Sequence, residues 1–144
     1  MEQRIWRFFL TLKNKLVFLE VGARIPGSFV VPVYEKTFGV NLLDHDFCIQ
    51  LNQQGPEVVK DLNPAFWCRV PKQFWKVKRI HPVNLSSQYD IQWNVKLGDM
   101  MSSADSILFS AADLLVYDKD YGMLLQDFEF LRNHVPFEQD KNVA

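Results

Sequence analysis

Cysteine is scarce in this chain: Cys48 and Cys68 are the only two in 144 residues. Two thiols form neither a metal-binding spacing nor the disulfide framework of a small secreted domain, which suits a reducing cytoplasm. Long apolar runs are missing too. The opening MEQRIWRFFLTLK has no long apolar core, so neither a signal peptide nor a membrane span is expected. An excess of either charge is also missing. Sixteen Lys and Arg against seventeen Asp and Glu leave a net charge of −1, which gives no global case for nucleic acid or membrane binding. Internal repeats and low-complexity linkers are lacking. What remains is a chain 48% apolar and 14% aromatic. That composition predicts a folded chain able to bury a sizeable core.

The stretch Lys15–Gly27, KLVFLEVGARIPG, organises the reading. An apolar strand carries Glu20 at its end, then breaks into a Gly/Pro loop holding Arg24. In extended backbone Glu20, Gly22 and Arg24 fall on one side, because side chains alternate with period two. An acid and a guanidinium beside a glycine turn suit a metal-bound phosphate. They equally make an ordinary ion pair, and spacing alone favours the ion pair. Ile5–Leu12 and Lys15–Val21 read as a hairpin around Lys13-Asn14, with Asn14 at positive φ. A two-residue loop would set Arg7 opposite Glu20. The loop Ile25-Pro26-Gly27-Ser28 is expected to enter a helix, whose free N–H groups could receive an anion.

Further along, Pro32 suits the first turn of a helix over Val33–Phe38, ended by Gly39. Asn41 caps a second over Leu42–Leu51, with Leu43, Phe47 and Leu51 on one face. Asp44-His45-Asp46 looks like a cluster, but adjacent helical residues point in different directions, so a solvated face is expected. Asn52–Asn63 reads as a loop. Ala65–Pro71 and Trp75–Pro82 read as strands around Lys72-Gln73. Lys60, Arg69, Lys72, Lys76, Lys78 and Arg79 interleave there with Phe66, Trp67, Phe74 and Trp75. Such a mixture can hold single-stranded nucleic acid. The alternation of Trp75, Val77 and Arg79 against Lys76, Lys78 and Ile80 instead favours a half-buried strand. Asp90–Leu97 and Ile107–Tyr117 follow as strands around a Gly98-Asp99 turn. Asp113 is expected to mark a bulge or an edge, not a catalytic group. Asp118 or Asp120 caps a last helix, Tyr121–Arg132, with Tyr121, Leu124, Leu125, Phe128 and Leu131 as its apolar stripe. Acids dominate from Asp99 onward, and this segment can pack on the basic one, within one chain or between two.

Glu20-x-x-x-Arg24-x-x-Gly27 after an apolar strand, then VPVYEKTFGVNLLD, resembles the C-terminal half of an ATP-grasp domain. WNVKLGDMMSSADSILFSAADLLV resembles the small β lobe of biotin-carboxylase-like and carbamoyl-phosphate-synthetase-like members. The resemblance runs in order over roughly residues 5 to 133. It implies an α+β fold: residues 1–56 as the C-terminal portion of an ATP-grasp subdomain (hairpin plus short helices), and 57–144 as a small antiparallel β lobe with its closing helix. It implies ATP and Mg2+ as cofactors, with Glu20 holding the metal, Arg24 facing the substrate and reacting phosphate, and Gly27 at the cofactor. It also marks two departures. Arg7 stands where the family has a second carboxylate, and Gly22 where it has asparagine. The lysines that hold the phosphates belong to the family's other half. The chain is therefore expected to be inactive alone, and either to pair with itself as a homodimer or to dock an upstream ATP-grasp half carried by another chain. The alternative is a non-catalytic interaction module on a degenerate scaffold.

Overall fold

In the computed structural model, the structure describes residues 5–22, 26–27, 29–57, 63–72, 75–101 and 109–140. The chain divides into two compact units, Met1–Asp61 and Leu62–Ala144.

The first unit opens with an antiparallel hairpin of β1 (Ile5–Leu10) and β2 (Leu16–Gly22). Its tip is longer than two residues. Leu10 pairs with Leu16, the Thr11 N–H donates to the Lys15 carbonyl at 2.9 Å, and Asn14 takes φ 53°. Helix α1 (Val30–Phe38) starts three residues earlier than the pattern suggested, so Pro32 sits inside the first turn, where its missing N–H costs nothing. Gly39 ends it in the left-handed conformation, φ 67°. Helix α2 (Leu42–Gln50) is capped by Asn41, whose side-chain oxygen accepts from the Leu43 and Asp44 N–H groups. Leu43, Phe47 and Leu51 form an exposed face.

The second unit holds two three-stranded antiparallel sheets and one helix among the described residues. β7 (Ser110–Tyr117) runs between β3 (Ala65–Pro71) and β5 (Gln88–Trp93). β4 (Trp75–Ile80) runs between β6 (Met100–Met101) and β8 (Phe137–Asp140). So β3 and β4, adjacent in sequence, belong to different sheets. β8, short and acidic, carries no strong alternation and escapes a sequence reading. Ile107 lies outside the described residues, and the strand over Asp90–Leu97 begins earlier and stops at Trp93.

One face of the β7 sheet carries Phe66, Cys68, Val70, Tyr89, Ile91 and Trp93 beside Ala112, Leu114 and Val116. It packs with Leu124 and Leu131 of α3 (Tyr121–Asn133). Asp120, not Asp118, caps α3, accepting from Gly122 at 2.8 Å and Met123 at 3.2 Å. Two bulges join this layer to the other sheet. Val70 lies opposite Ala112 and Pro71 opposite Ser110, so Ala111 is an extra residue. It enters a second cluster with Val77, Val95, Met101 and Phe137. Lys78 is the extra residue in β4, between Val77 and Arg79. That bulge brings Ile80 to the side of buried Val77 instead of the opposite face that plain alternation gives.

Candidate functional site

Arg7 does lie opposite Glu20. A tip longer than expected would by itself have shifted the register. A bulge at Leu19 restores it: Phe8 pairs with Phe18, then Arg7 pairs with Glu20. The bulge also changes sides. Directly opposed residues share a face, so Glu20 joins Val17 and Lys15, while Leu16 and Phe18 share the other. Glu20 is exposed, and Gly22 pairs with Ile5. Arg24 lies outside the described residues. Gly27 sits in open space, where an added Cβ would meet nothing within 4 Å. Among the described residues no side chain caps the first turn of α1, whose N-cap position is Phe29. Among the described residues, no three His, Cys, Asp or Glu side chains gather as a metal set.

This donor set does not fit Mg2+ held by the protein alone. The ion takes near-octahedral oxygen ligands, commonly one or two carboxylates with phosphate oxygens and water. Glu20 offers one carboxylate, and the residue across the ladder is an arginine.

Asp44-His45-Asp46 is no cluster. The His45 ring lies against Gly55, so closely that a Cβ there would come 2.5 Å from His45 Cδ2. Asp44 is exposed in the first turn of α2.

The polar centre that sequence reasoning missed lies in the β lobe. Asp113 is not at an edge. It occupies the central strand, 5% exposed, directly across from Arg69. Arg69 Nε donates to its Oδ1 at 2.7 Å. The Ser110 hydroxyl and Asn94 amide donate to its Oδ2 at 2.6 and 2.8 Å. Burial pushes the Asp113 carboxyl up, but the hydrogen bonds from Ser110, Arg69 and Asn94 outweigh it and hold the group below the usual carboxylate range. Burial first, and the Asp113 charge second, push the neighbouring Cys68 thiol up to about 11. Asp127 of α3 is buried likewise, accepting from the Ser86 and Ser87 N–H groups at 3.2 and 2.7 Å. Asp127 meets Ser86 and Ser87 across about forty residues and Asp113 meets Arg69 across 44, so spacing could not announce either pairing. The one available signal was an acid inside an otherwise apolar pattern.

Two of the basic segment's cations are paired within the lobe. Beyond Arg69–Asp113, Lys78 bonds Glu138 at 3.1 Å. A cavity of about 310 Å3 lies in this lobe, bounded by Cys68, Val70, Leu114, Phe128, Leu131 and Phe137.

No family model and no curated protein sequence matches the chain. Solved structures do match it in shape. Phosphoribosylglycinamide synthetase from Anaerococcus prevotii superposes with TM-score 0.69 at 10% identity, over 95% of this chain and 37% of that one. L-amino acid ligase from Bacillus licheniformis gives 0.65 at 14% identity, over 96% and 38%. The biotin carboxylase domain of Hydrogenobacter thermophilus 2-oxoglutarate carboxylase, solved as a dimer with MgADP, ADP and bicarbonate, gives 0.56 at 15%, over 95% and 31%. All three are ATP-grasp enzymes, and the fold defined by the hairpin, the two short helices and the β lobe is theirs. More narrowly, it is the C-terminal part of that fold, and the chain spans less than two fifths of the length of each structure named.

Proposed function

We propose that this chain is the C-terminal portion of an ATP-grasp ligase-like assembly, the class that joins a carboxylate to an amine or thiol, and that it has no such activity alone. The fold carries the class. The register of Arg7 opposite Glu20 carries the inactivity. In ATP-grasp ligases ATP converts the carboxylate to an acyl-phosphate, which the nucleophile then attacks. In a completed assembly Glu20 would offer one metal-facing oxygen, Arg24 a guanidinium to the acyl-phosphate, and Gly27 a close backbone approach to the cofactor. A completing half, upstream in the same protein or on another chain, would supply the rest of the site, or a homodimer would cover the exposed hairpin. Two free cysteines, Cys48 and Cys68, support a cytoplasmic setting.

The same register supports a second reading. An arginine pairs across the ladder with Glu20, where the family has a second carboxylate, and a scaffold so altered would serve as a protein-interaction module.

Titration calorimetry with ATP and excess magnesium, on the wild type and on Arg7→Glu, separates these readings. The expected result is silence in the wild type. Micromolar binding by the wild type would refute the inactive site. Magnesium binding gained only in Arg7→Glu would show that the guanidinium had replaced the metal. Silence in both would mean that the missing half is the larger loss, and would turn the search to protein partners.

A further inference from the structure

The hairpin exposes both of its apolar faces. Phe9, Leu10, Leu16, Phe18 and Leu19 are each 50% exposed or more, and among the described elements β1 and β2 contact chiefly each other. A two-stranded hairpin is marginal in water, and a long apolar edge is a template for another strand. β2 ends its sheet.

We propose that β2 pairs antiparallel with β2 of a second copy of this chain, about a twofold axis at Val17. In this register Lys15 faces the second copy's Glu20, Leu16 faces its Phe18, and Val17 faces its Val17. The sequence of this edge is complementary to itself: a cation at one end, a carboxylate at the other, apolar residues between. Symmetry then forms both ion pairs at once. The bulge makes this possible. A closed twofold pair normal to the sheet sets residues of the same face opposite one another. Without the extra residue at Leu19, Lys15 and Glu20 would lie on opposite faces. With it, they share one. β1 cannot pair with itself in this way, because its one charge is Arg7. Whatever Glu20 engages within its own chain, a carboxylate has two oxygens with about four acceptor sites.

The pairing does not rest on the ATP-grasp reading. Association is measured without nucleotide, so each can fail alone. Sedimentation equilibrium of the full chain over a range of concentrations tests it, with Lys15→Glu, Glu20→Lys and the double variant. Both residues are exposed, and circular dichroism checks that each variant is folded. The expected result is a dimer for the wild type. Each single reversal weakens it at least about tenfold, because two attractions become two repulsions. The double variant recovers it, and mixing the two single variants gives a heterodimer. A wild-type monomer at tens of micromolar overturns the proposal. So does a dimer indifferent to the reversals, or growth into open polymers, which would mean a pairing that does not close.

Discussion

Asp113 shows how one residue can matter more than its neighbours in sequence suggest. A carboxylate in the middle of a central strand would be costly without hydrogen-bond partners, and Arg69, Ser110 and Asn94 each donate to it. Removing one member of a buried pair leaves the other uncompensated. Asp113→Asn is therefore expected to lose about 3 kcal/mol in urea melts at neutral pH. Asp113 and Asp127 are both held below the ordinary carboxylate range in the folded chain. Their contribution is complete above the ordinary value of about 4, and it disappears as pH falls from there through the folded values. Wild-type stability should decline over that acid window. Asp113→Asn should decline less, keeping the shares that belong to Asp127 and to Glu138, whose carboxyl the Lys78 hydrogen bond also lowers. A variant as acid-sensitive as the wild type would contradict this assignment.

At the scale of elements, local chemistry was legible wherever it acts over four residues or fewer. Asn41, Gly39 and Asn14 do what their types dictate, and Pro32 falls in a first turn. Capping is expected to be measurable as well. Asp120→Ala should cost about 1 kcal/mol, read as a lower urea midpoint with unchanged slope. Pairing between distant strands was not legible. Lys72-Gln73 looks like a hairpin turn, yet β3 and β4 join different sheets, because β3 pairs with 110–117 and β4 with 100–101 and 137–140. Bulges were equally hidden. One extra residue at Leu19, Lys78 or Ala111 leaves no mark on composition but reassigns every side chain beyond it. At the hairpin, two departures from the expected geometry, a longer tip and a bulge, cancelled at Arg7 and Glu20. The pairing of Arg7 with Glu20 was thus read correctly for an incomplete reason.

Across the whole molecule, the buried apolar residues are divided unequally. Among the described residues, Val40 is the only buried hydrophobic side chain of the first unit. The clusters around Val77 and Leu114 both belong to the second. Burial of apolar area is the main term favouring a fold. A fragment spanning 62–144 is therefore expected to unfold cooperatively by itself, whereas 1–61 should not, when each is followed by circular dichroism during heating. A cooperative transition in 1–61 would show that the hairpin and its helices need no further cover.

The placement of β7 has a consequence in time. As the chain leaves the ribosome, β3 and β5 emerge before the strand that lies between them. Arg69 waits 44 residues for Asp113, and Lys78 waits 60 for Glu138. Closing such long loops is an entropic toll that local contacts cannot offset early. The lobe should therefore be a slow folder for its size, in the millisecond-to-second range of other non-local sheets. During synthesis its two apolar strands remain exposed until the central one arrives, and a chaperone would have that interval in which to act.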